Sequence, residues 1–227
     1  MKIYHGTHFN KLDLILKEGI KSRGTKGKTN WKNAPSHPNL VYLSTAYPFY
    51  FSQTTLTKNM NKGLVFEIDM DRLDKEMLFP DEDFIWYVLK KKNPDLKLEF
   101  VRKNLFAYKD NWVLSLEHMG NCAYLGKVDL DYITRYCIID FDIQKEIGWS
   151  VLDPTITIMN YQFKGQYYRD LVSWIFGDKK KLPQLKEAKE LISIATNDQR
   201  IAEDCKKRID FWTKAGKNRK GIEVVEL

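Results

Sequence analysis

The pattern of apolar and polar positions predicts an alternation of short strands and short helices. Runs rich in β-branched and aromatic residues are typical of strands and are bounded by turn-forming residues. Such runs occupy residues 2–4, 40–44, 63–69, 112–116, 122–126 and 132–141, with a mixed strand region at 148–168. The first run is followed by His5-Gly6-Thr7, which we interpret as a turn.

Helical spacing predicts several helices between and after these strands. A helix over residues 10–18 is closed by Gly19, because glycine adopts the left-handed conformation at a helix end without strain. Another helix begins near Pro48, and Asp81 is placed to cap a third that carries the apolar run 84–89. Further helices are predicted at residues 90–103, 185–195 and 201–212. The fold class is therefore α+β.

The chain of 227 residues is long enough for one domain with an appendage. Its hydrophobic fraction of 43% excludes wholesale disorder, and no apolar run approaches the ~20 residues that span a bilayer. Three scattered cysteines form no CxxC pair, and histidine and cysteine show no zinc-ligand spacing. We expect a cytoplasmic protein with no metal and no membrane partner.

The formal charge of +7 is unevenly distributed along the sequence. Residues 1–177 have a net charge of +3, residues 178–220 have +6, and the last seven residues have −2. A division at residue 177, with 178–227 as a basic helical extension packed on the first domain, is predicted from this shift. Lys206, Lys207 and Arg208 are candidates for binding a polyanionic acceptor. A solvated helix face that only maintains solubility is the alternative.

Three sites combine polar or aromatic side chains with predicted strand ends. His5-Gly6 follows the first strand, where glycine would let a ligand approach the backbone. Tyr42 and Tyr50 lie on a strand and the following helix, where two rings could enclose a flat ligand. Glu117 is expected at the end of the strand predicted at 112–116. Each of these residues, taken alone, is more often structural or simply solvated than functional.

Taken together, the three sites resemble the ADP-ribosyltransferase superfamily, in particular its His-Tyr-Glu branch, which includes the poly(ADP-ribose) polymerases. The resemblance covers about residues 3–140 and implies a split, mostly antiparallel β-sheet core. The segments that carry it are Tyr4-His5-Gly6-Thr7, residues 14–20 (Leu-Ile-Leu-Lys-Glu-Gly-Ile), Val41-Tyr42-Leu43-Ser44 with Ala46 and Tyr50, and Glu117.

The resemblance implies a role for each matching residue toward NAD as a substrate. His5 would bind a ribose hydroxyl, and the backbone of Gly6, beside Thr7, would hold the carboxamide. Tyr42 and Tyr50 would stack on nicotinamide. Other residues placed near NAD are Ser44, on the ribose, and Trp31, in the long loop at 21–39 that we interpret as a lid.

Glu117 is chosen as the carboxylate that opposes the positive charge of the oxocarbenium-like transition state. Glu67 is set aside because strand alternation should turn it outward, and Glu99 because the strand pairing expected after it is absent. His118 could assist proton removal from an acceptor, although neighbouring residues on a strand point to opposite faces. No Gly-x-Gly-x-x-Gly motif supports a Rossmann dehydrogenase.

The resulting hypothesis is an NAD-dependent mono-ADP-ribosyltransferase that modifies a macromolecule. The basic C-terminal segment favours nucleic acid slightly over protein as the acceptor. An NAD glycohydrolase would use the same site with water as the nucleophile. RNA 2′-phosphotransferases have a similar His-Gly-Thr segment on the first strand, but they have a histidine at the position of Tyr42. A catalytically inactive nucleic-acid-binding module is the non-enzymatic alternative. A toxin or phage effector role, with a protein inhibitor or antitoxin as partner, also fits the resemblance.

Overall fold

The computed structural model describes residues 1–25, 27, 35–146, 166–180 and 221–227. Within these ranges, seven strands form one antiparallel sheet in the order β4-β5-β2-β1-β3-β6-β7. The strands are β1 (Lys2–His8), β2 (Leu40–Ser44), β3 (Lys62–Asp69), β4 (Leu78–Pro80), β5 (Asn121–Leu125), β6 (Ile133–Asp140) and β7 (Ile222–Glu226). The α+β class expected from the sequence is confirmed.

Helices connect these strands and cover the sheet. The α-helices are α1 (Leu12–Glu18), α2 (Pro48–Thr54), α3 (Glu82–Lys90), α4 (Leu98–Lys103), α5 (Trp112–Met119), α6 (Phe141–Glu146) and α7 (Gln166–Ile175). Short 3-10 helices occur at Phe9–Lys11, Met70–Arg72, Lys75–Met77, Leu105–Asn111 and Leu130–Tyr132. None of the helices in the described ranges has the length and apolar character needed to span a bilayer.

Alternation along the strands divides the core between the two faces of the sheet. One face packs against α1 and contains Ile3, Leu43 and Phe66 around Ile15. The opposite face near β2 contains a second cluster with members on β4, β5, α3 and α4: Leu40, Phe79, Ala123, Phe84, Ile85 and Val101. Because both faces are covered, side chains that point to either face of the central strands are buried.

The sheet is almost divided between β1 and β2. These strands pair at one position, Tyr4 with Ser44. By contrast, β1 pairs with β3 along all seven of its residues, and β2 pairs with β5 along all five. Two sheet halves, β4-β5-β2 and β1-β3-β6-β7, therefore meet at a single pair of residues.

A buried charge cluster fixes the segment after α7 to the sheet. Arg135 on β6 donates to Glu67 on β3 and to Asp178, each at 2.6 Å. Glu67 is 2% exposed, so the prediction that strand alternation turns it outward is wrong. Glu67 does point away from Phe66 and Ile68, but the face it points to is covered by the end of α7 and the residues after it. The Phe176 ring lies 5.2 Å from the Tyr4 ring, and the Phe176 carbonyl accepts from Arg135.

The predicted strand at 112–116 is also wrong, because this segment is part of helix α5. Ser115, Leu116 and Met119 are buried on one side of this helix. It ends at Gly120, whose φ of 77° lies in the left-handed region and whose N–H bonds to the carbonyl of Leu116. A run of five residues rich in apolar side chains fits the periodicity of a strand and that of a helix. Only the spacing of apolar positions over a longer segment distinguishes the helix.

Other expectations are met in part. The first strand does not end at Tyr4 but continues to His8, so His5-Gly6-Thr7 is strand and not turn. Of the mixed strand region at 148–168, residues 166–168 belong to α7 and the rest lies outside the described residues. The helices predicted at 185–195 and 201–212 also lie outside them. Residues 222–226 form strand β7, which the sequence did not indicate.

Candidate functional site

His5 lies where the two halves of the sheet separate. It follows Tyr4, the residue of the single β1–β2 pair, and its own backbone pairs with Phe66 on β3. Its Nδ1 is 2.9 Å from the backbone oxygen of Tyr42 on β2. The imidazole therefore bridges β1 and β2 where the backbone ladder has stopped. The expectation that His5 sits at a strand end is wrong, since it occupies the middle of a central strand.

The hydrogen bond to Tyr42 defines the tautomer of His5. A carbonyl oxygen only accepts hydrogen bonds, so Nδ1 carries the proton and Nε2 of the neutral ring is an acceptor. Burial lowers the pKa of His5 from its ordinary value and outweighs the opposing effect of the bond to Tyr42. Among the described residues Nε2 has no hydrogen-bond partner, and such a neutral ring is suited to accept a hydrogen bond from a ligand hydroxyl.

Tyr42 connects this separation to the start of α3. Its hydroxyl donates to Glu82 Oε1 at 2.6 Å and accepts from the backbone N–H of His37 at 2.8 Å. Burial and the neighbouring Glu82 carboxylate raise the pKa of Tyr42, so the phenol stays protonated. The side chain is only partly buried and packs against the cluster around Phe79. The Tyr42 side chain therefore holds a fixed orientation, while its backbone oxygen contacts His5.

Glu82 is a buried carboxylate with one unused oxygen. Only 3% of the residue is exposed, and among the described residues Oε2 has no hydrogen-bond partner. Arg102 on α4 places its Nε 3.6 Å from Oε1, an ion-pair distance without a hydrogen bond. Burial raises the pKa of Glu82, whereas the bond from Tyr42 and the charge of Arg102 oppose that rise. Oε2 retains the capacity to accept one donor, but it has no solvent-exposed surface.

Asp81 is the N-cap residue of α3 and directly precedes Glu82. Its side chain accepts from the backbone N–H of Asp83 at 2.8 Å, as the sequence predicted for the N-cap of α3. Its own N–H donates to Ser115 Oγ, which in turn donates to the carbonyl of Asn121. Burial, with the charges of Asp83 and Glu82, raises the pKa of Asp81 well above its ordinary value. The start of α3 is thereby fixed against α5 and β5.

Glycine is required at position 6 because α2 occupies the space into which a side chain would project. A Cβ there would lie 2.0 Å from the backbone oxygen of Pro48 on α2. That space is therefore filled by α2 and is not open to a ligand, contrary to expectation. The backbone oxygen of Thr7 likewise accepts from Ser52 Oγ on α2 at 2.7 Å.

The remaining predicted NAD contacts lie around α2 and the loop before β2. The hydroxyl of Ser44 is engaged by the fold: it accepts from the N–H of Tyr47 at 2.8 Å and donates to the carbonyl of Gly120 at 3.0 Å. Tyr50 is partly buried on α2 with its ring 5.6 Å from that of Phe51. Trp31 lies outside the described residues.

Glu117 is an exposed residue on the last turn of α5, not at the end of a strand. The neighbouring Arg169 on α7 donates to the carbonyls of Leu116 and Glu117 at 3.1 and 3.4 Å and to Thr45 Oγ1 at 3.0 Å. An arginine in that position satisfies the free carbonyls of a helix end. His118 is exposed, with its ring stacked on Phe84. Among the described residues, neither side chain makes a hydrogen bond or ring contact with His5, Tyr42 or Glu82.

The sequence did not single out Glu82 and Arg102 as site residues. The available signal was Asp81-Glu82-Asp83, three consecutive acids where helix capping requires only one. The described residues contain no group of three or more histidine, cysteine and acidic side chains suited to a metal. The acceptor candidates Lys206, Lys207 and Arg208 lie outside the described residues.

Comparisons with known proteins give no family assignment. No protein family matches the sequence, and no curated protein matches it. Among solved structures the chain is similar to EcPltA, with a TM-score of 0.36 and 9% identity, over 61% of this chain and 75% of that chain. A similarity of this size does not define the fold family, and the functional argument rests on the site itself.

Proposed function

We propose that this protein cleaves NAD at the nicotinamide glycosidic bond and transfers a single ADP-ribose unit to a macromolecular acceptor. The observation that carries the proposal is the position of His5. Its neutral imidazole bridges the nearly divided sheet to Tyr42, and the Tyr42 hydroxyl is held by a buried carboxylate. This arrangement adds to the resemblance of the His5-Gly6-Thr7 and Tyr42 segments to ADP-ribosyltransferases.

The chemistry requires few reactive groups from the protein. In NAD the bond between ribose C1′ and the pyridinium nitrogen breaks, and neutral nicotinamide leaves with the electron pair. The acceptor forms the new bond to C1′ and loses its proton to a carboxylate or to water. The protein contributes the positions of the two reactants and the charge that opposes the ribosyl cation. His5 Nε2 would accept from a ribose hydroxyl, and the Tyr42 ring would pack on nicotinamide.

Two carboxylates are candidates for opposing the cation. Glu117 is the carboxylate predicted from the sequence, and its exposed position on α5 is at a helix end near Thr45. Glu82 is in direct contact with Tyr42 and has a free buried oxygen. We favour Glu82 because a carboxylate acts most strongly on a developing charge where water is excluded.

The test is an assay of nicotinamide release and of label transfer from NAD to DNA, RNA and lysate protein. Wild type, His5→Ala, Glu82→Gln and Glu117→Gln are compared, with Glu223→Gln at an exposed position on β7 as the control. We expect losses of at least about 100-fold for His5→Ala and for Glu82→Gln, the range typical of positioned electrostatic and acid–base groups. Full activity of Glu82→Gln with loss in Glu117→Gln would assign the role to Glu117.

The products separate the remaining alternatives. Nicotinamide release without a labelled macromolecule would identify an NAD glycohydrolase. Absence of both products in wild type, with the protein folded, would contradict the proposed function. A labelled RNA or DNA band that appears only with NAD would exclude the inactive binding module.

A further inference from the structure

The described part of the chain has one surface where positive charge is concentrated. Residues 90–103, which include the end of α3 and all of α4, contain six basic and two acidic side chains. The rest of residues 1–177 contains 18 basic and 19 acidic side chains. This short segment therefore has a net charge of +4. Residues 21–32 also contain five basic and no acidic side chains, but three of the five lie outside the described residues.

Most of the basic side chains in this segment are exposed and available for binding a partner. Lys90, Lys91, Lys92 and Lys97 are exposed and form no ion pair within the described ranges. Lys103 pairs with Glu99 at 3.0 Å, and both side chains are about three-quarters exposed. Such an exposed pair contributes little stability and is readily exchanged for an anionic ligand.

Exposed aromatic rings accompany these lysines. Tyr87 on α3 is 55% exposed and Phe100 on α4 is 53% exposed. Lys91 Nζ lies 4.5 Å from the centre of the Tyr87 ring, and Lys90 Nζ lies 4.3 Å from that of Trp86. Large rings exposed to this extent, next to cations, are typical of interaction surfaces. The surface is defined by Tyr87, Lys90, Lys91, Lys92, Lys97, Phe100 and Lys103 and is called the α3–α4 surface.

We propose that the α3–α4 surface binds single-stranded nucleic acid. Lysines neutralise the phosphates of such a strand, and unpaired bases stack on aromatic rings. A duplex offers the same phosphates but keeps its bases stacked internally, so the rings would gain little from it. An anionic membrane would also attract the lysines. However, the main apolar faces of these helices, which include Phe84, Ile85 and Val101, are buried in the core. The exposed Tyr87, Val88 and Phe100 are a small apolar area for insertion into a bilayer.

The α3–α4 surface is connected to the candidate site through one helix. Glu82, which holds Tyr42, is the first residue of α3, and Lys90 is the last. Nine residues of helix span about 13 Å at the usual rise per residue. A strand bound at the α3–α4 surface would thus pass within a few nucleotides of Tyr42. Its role as the acceptor in ADP-ribose transfer rests on the function proposed above, whereas binding itself does not.

The test measures binding without NAD, by fluorescence anisotropy of labelled 20-nucleotide single strands of DNA and RNA and of a matched duplex. We compare wild type with Lys90→Gln/Lys91→Gln/Lys97→Gln and with Tyr87→Ala/Phe100→Ala. The control, Lys17→Gln/Lys58→Gln/Lys75→Gln, removes three exposed lysines on other elements. A third triple variant, Lys206→Gln/Lys207→Gln/Arg208→Gln, tests the C-terminal prediction.

We expect single strands to bind more tightly than the duplex. The α3–α4 lysine variant should reduce the dependence of log K on log salt by about 2, because each phosphate contact with a single strand contributes about 0.7. The aromatic variant should weaken binding by roughly 10-fold or more, as expected for lost base stacking. The control lysines should leave binding within 2-fold of wild type.

Three outcomes would overturn the proposal. These are unchanged binding by both α3–α4 variants, tighter binding of the duplex, and, in parallel sedimentation with vesicles containing anionic lipid, binding to the vesicles without binding to either single strand. Loss of binding in the C-terminal variant alone would place the nucleic-acid site there instead. Nicotinamide release is measured on the same proteins, so an enzyme that turns over NAD without binding nucleic acid is distinguished from a protein that does neither.

Discussion

The Tyr42 hydroxyl donates to Glu82 Oε1 at 2.6 Å, which joins the middle of β2 to the first residue of α3. The two residues are 40 positions apart in the chain; Glu82 is buried and Tyr42 is partly buried. A short bond from a hydroxyl to a carboxylate is stronger than one between neutral groups. It also keeps the second carboxylate oxygen in a defined position.

Removal of this bond should destabilise the protein. We expect Tyr42→Phe to lower the free energy of unfolding by about 1.5–3 kcal/mol, because it leaves the buried Glu82 without its donor. Urea denaturation of Tyr42→Phe, Glu82→Gln and the double variant gives the coupling between them, expected to exceed about 0.5 kcal/mol. Tyr87→Phe, which alters an exposed tyrosine, is the matched control. Additive effects of the two single changes would show that the bond contributes nothing.

The buried imidazole of His5 should make stability depend on pH. Because burial lowers the pKa of His5, the unfolded chain takes up a proton before the folded one as the pH falls. Its stabilising contribution is complete above the unfolded pKa of about 6.5 and declines as the pH drops towards the folded pKa. Urea midpoints at pH 8, 6.5 and 5 should therefore fall less in His5→Gln than in wild type. Since His8 and His37 also have lowered pKa values, only the difference between the two proteins is diagnostic.

Loss of Arg135 should lower the free energy of unfolding far more than loss of Asp178, one of its ion-pair partners. Arg135→Ala leaves Glu67 buried with only Lys2, at 3.3 Å, as a cationic partner. We expect it to cost about 3–5 kcal/mol of the free energy of unfolding, as for other uncompensated buried charges. Asp178→Asn removes a carboxylate that is 34% exposed and should cost about 1 kcal/mol or less. Equal effects in urea denaturation would mean that burial of Glu67 does not determine the penalty.

The close approach of α2 to β1 should make Gly6 intolerant of substitution. Gly6→Ala places a methyl group 2.0 Å from the Pro48 oxygen, and backbone must move to accept it. We expect a loss of about 3 kcal/mol. Gly24→Ala is the comparison, because it meets no atom within 4 Å but has a φ of 67°. It should cost about 1–2 kcal/mol, the ordinary strain of that conformation. A milder effect at Gly6 than at Gly24 would contradict the packing argument.

Local patterns predicted the elements whose signals lie within a few residues. The strand at 40–44, the helix that begins at Pro48 and the Asp81 cap all agree with the structure. Each depends on side-chain periodicity or on a terminal residue with a specific hydrogen bond. Features of this kind do not require knowledge of the rest of the fold.

The missed features depend on contacts between distant parts of the chain. Glu67 is buried because Arg135, 68 residues later, supplies a positive charge on the same face. Glu82 belongs to the candidate site because it accepts a hydrogen bond from Tyr42, and no local sequence pattern indicates that contact. The expected position of Glu117 failed for a different reason: a short apolar run was assigned to a strand, and the error moved its carboxylate to the wrong element.

Strand β7 has a consequence for how shortened versions of the protein should be designed. The chain leaves the sheet after Asp178, which is held by Arg135, and returns at Ile222 to pair with Ile139 on β6. Residues 166–180 and 221–227 thus both contact β6, and the segment between them is joined to this edge of the sheet at both ends. Truncation at residue 177 would remove five residues of edge strand and expose the hydrogen-bonding groups of β6, a template for aggregation. An internal deletion of residues 181–220, closed by a flexible linker, would preserve the edge.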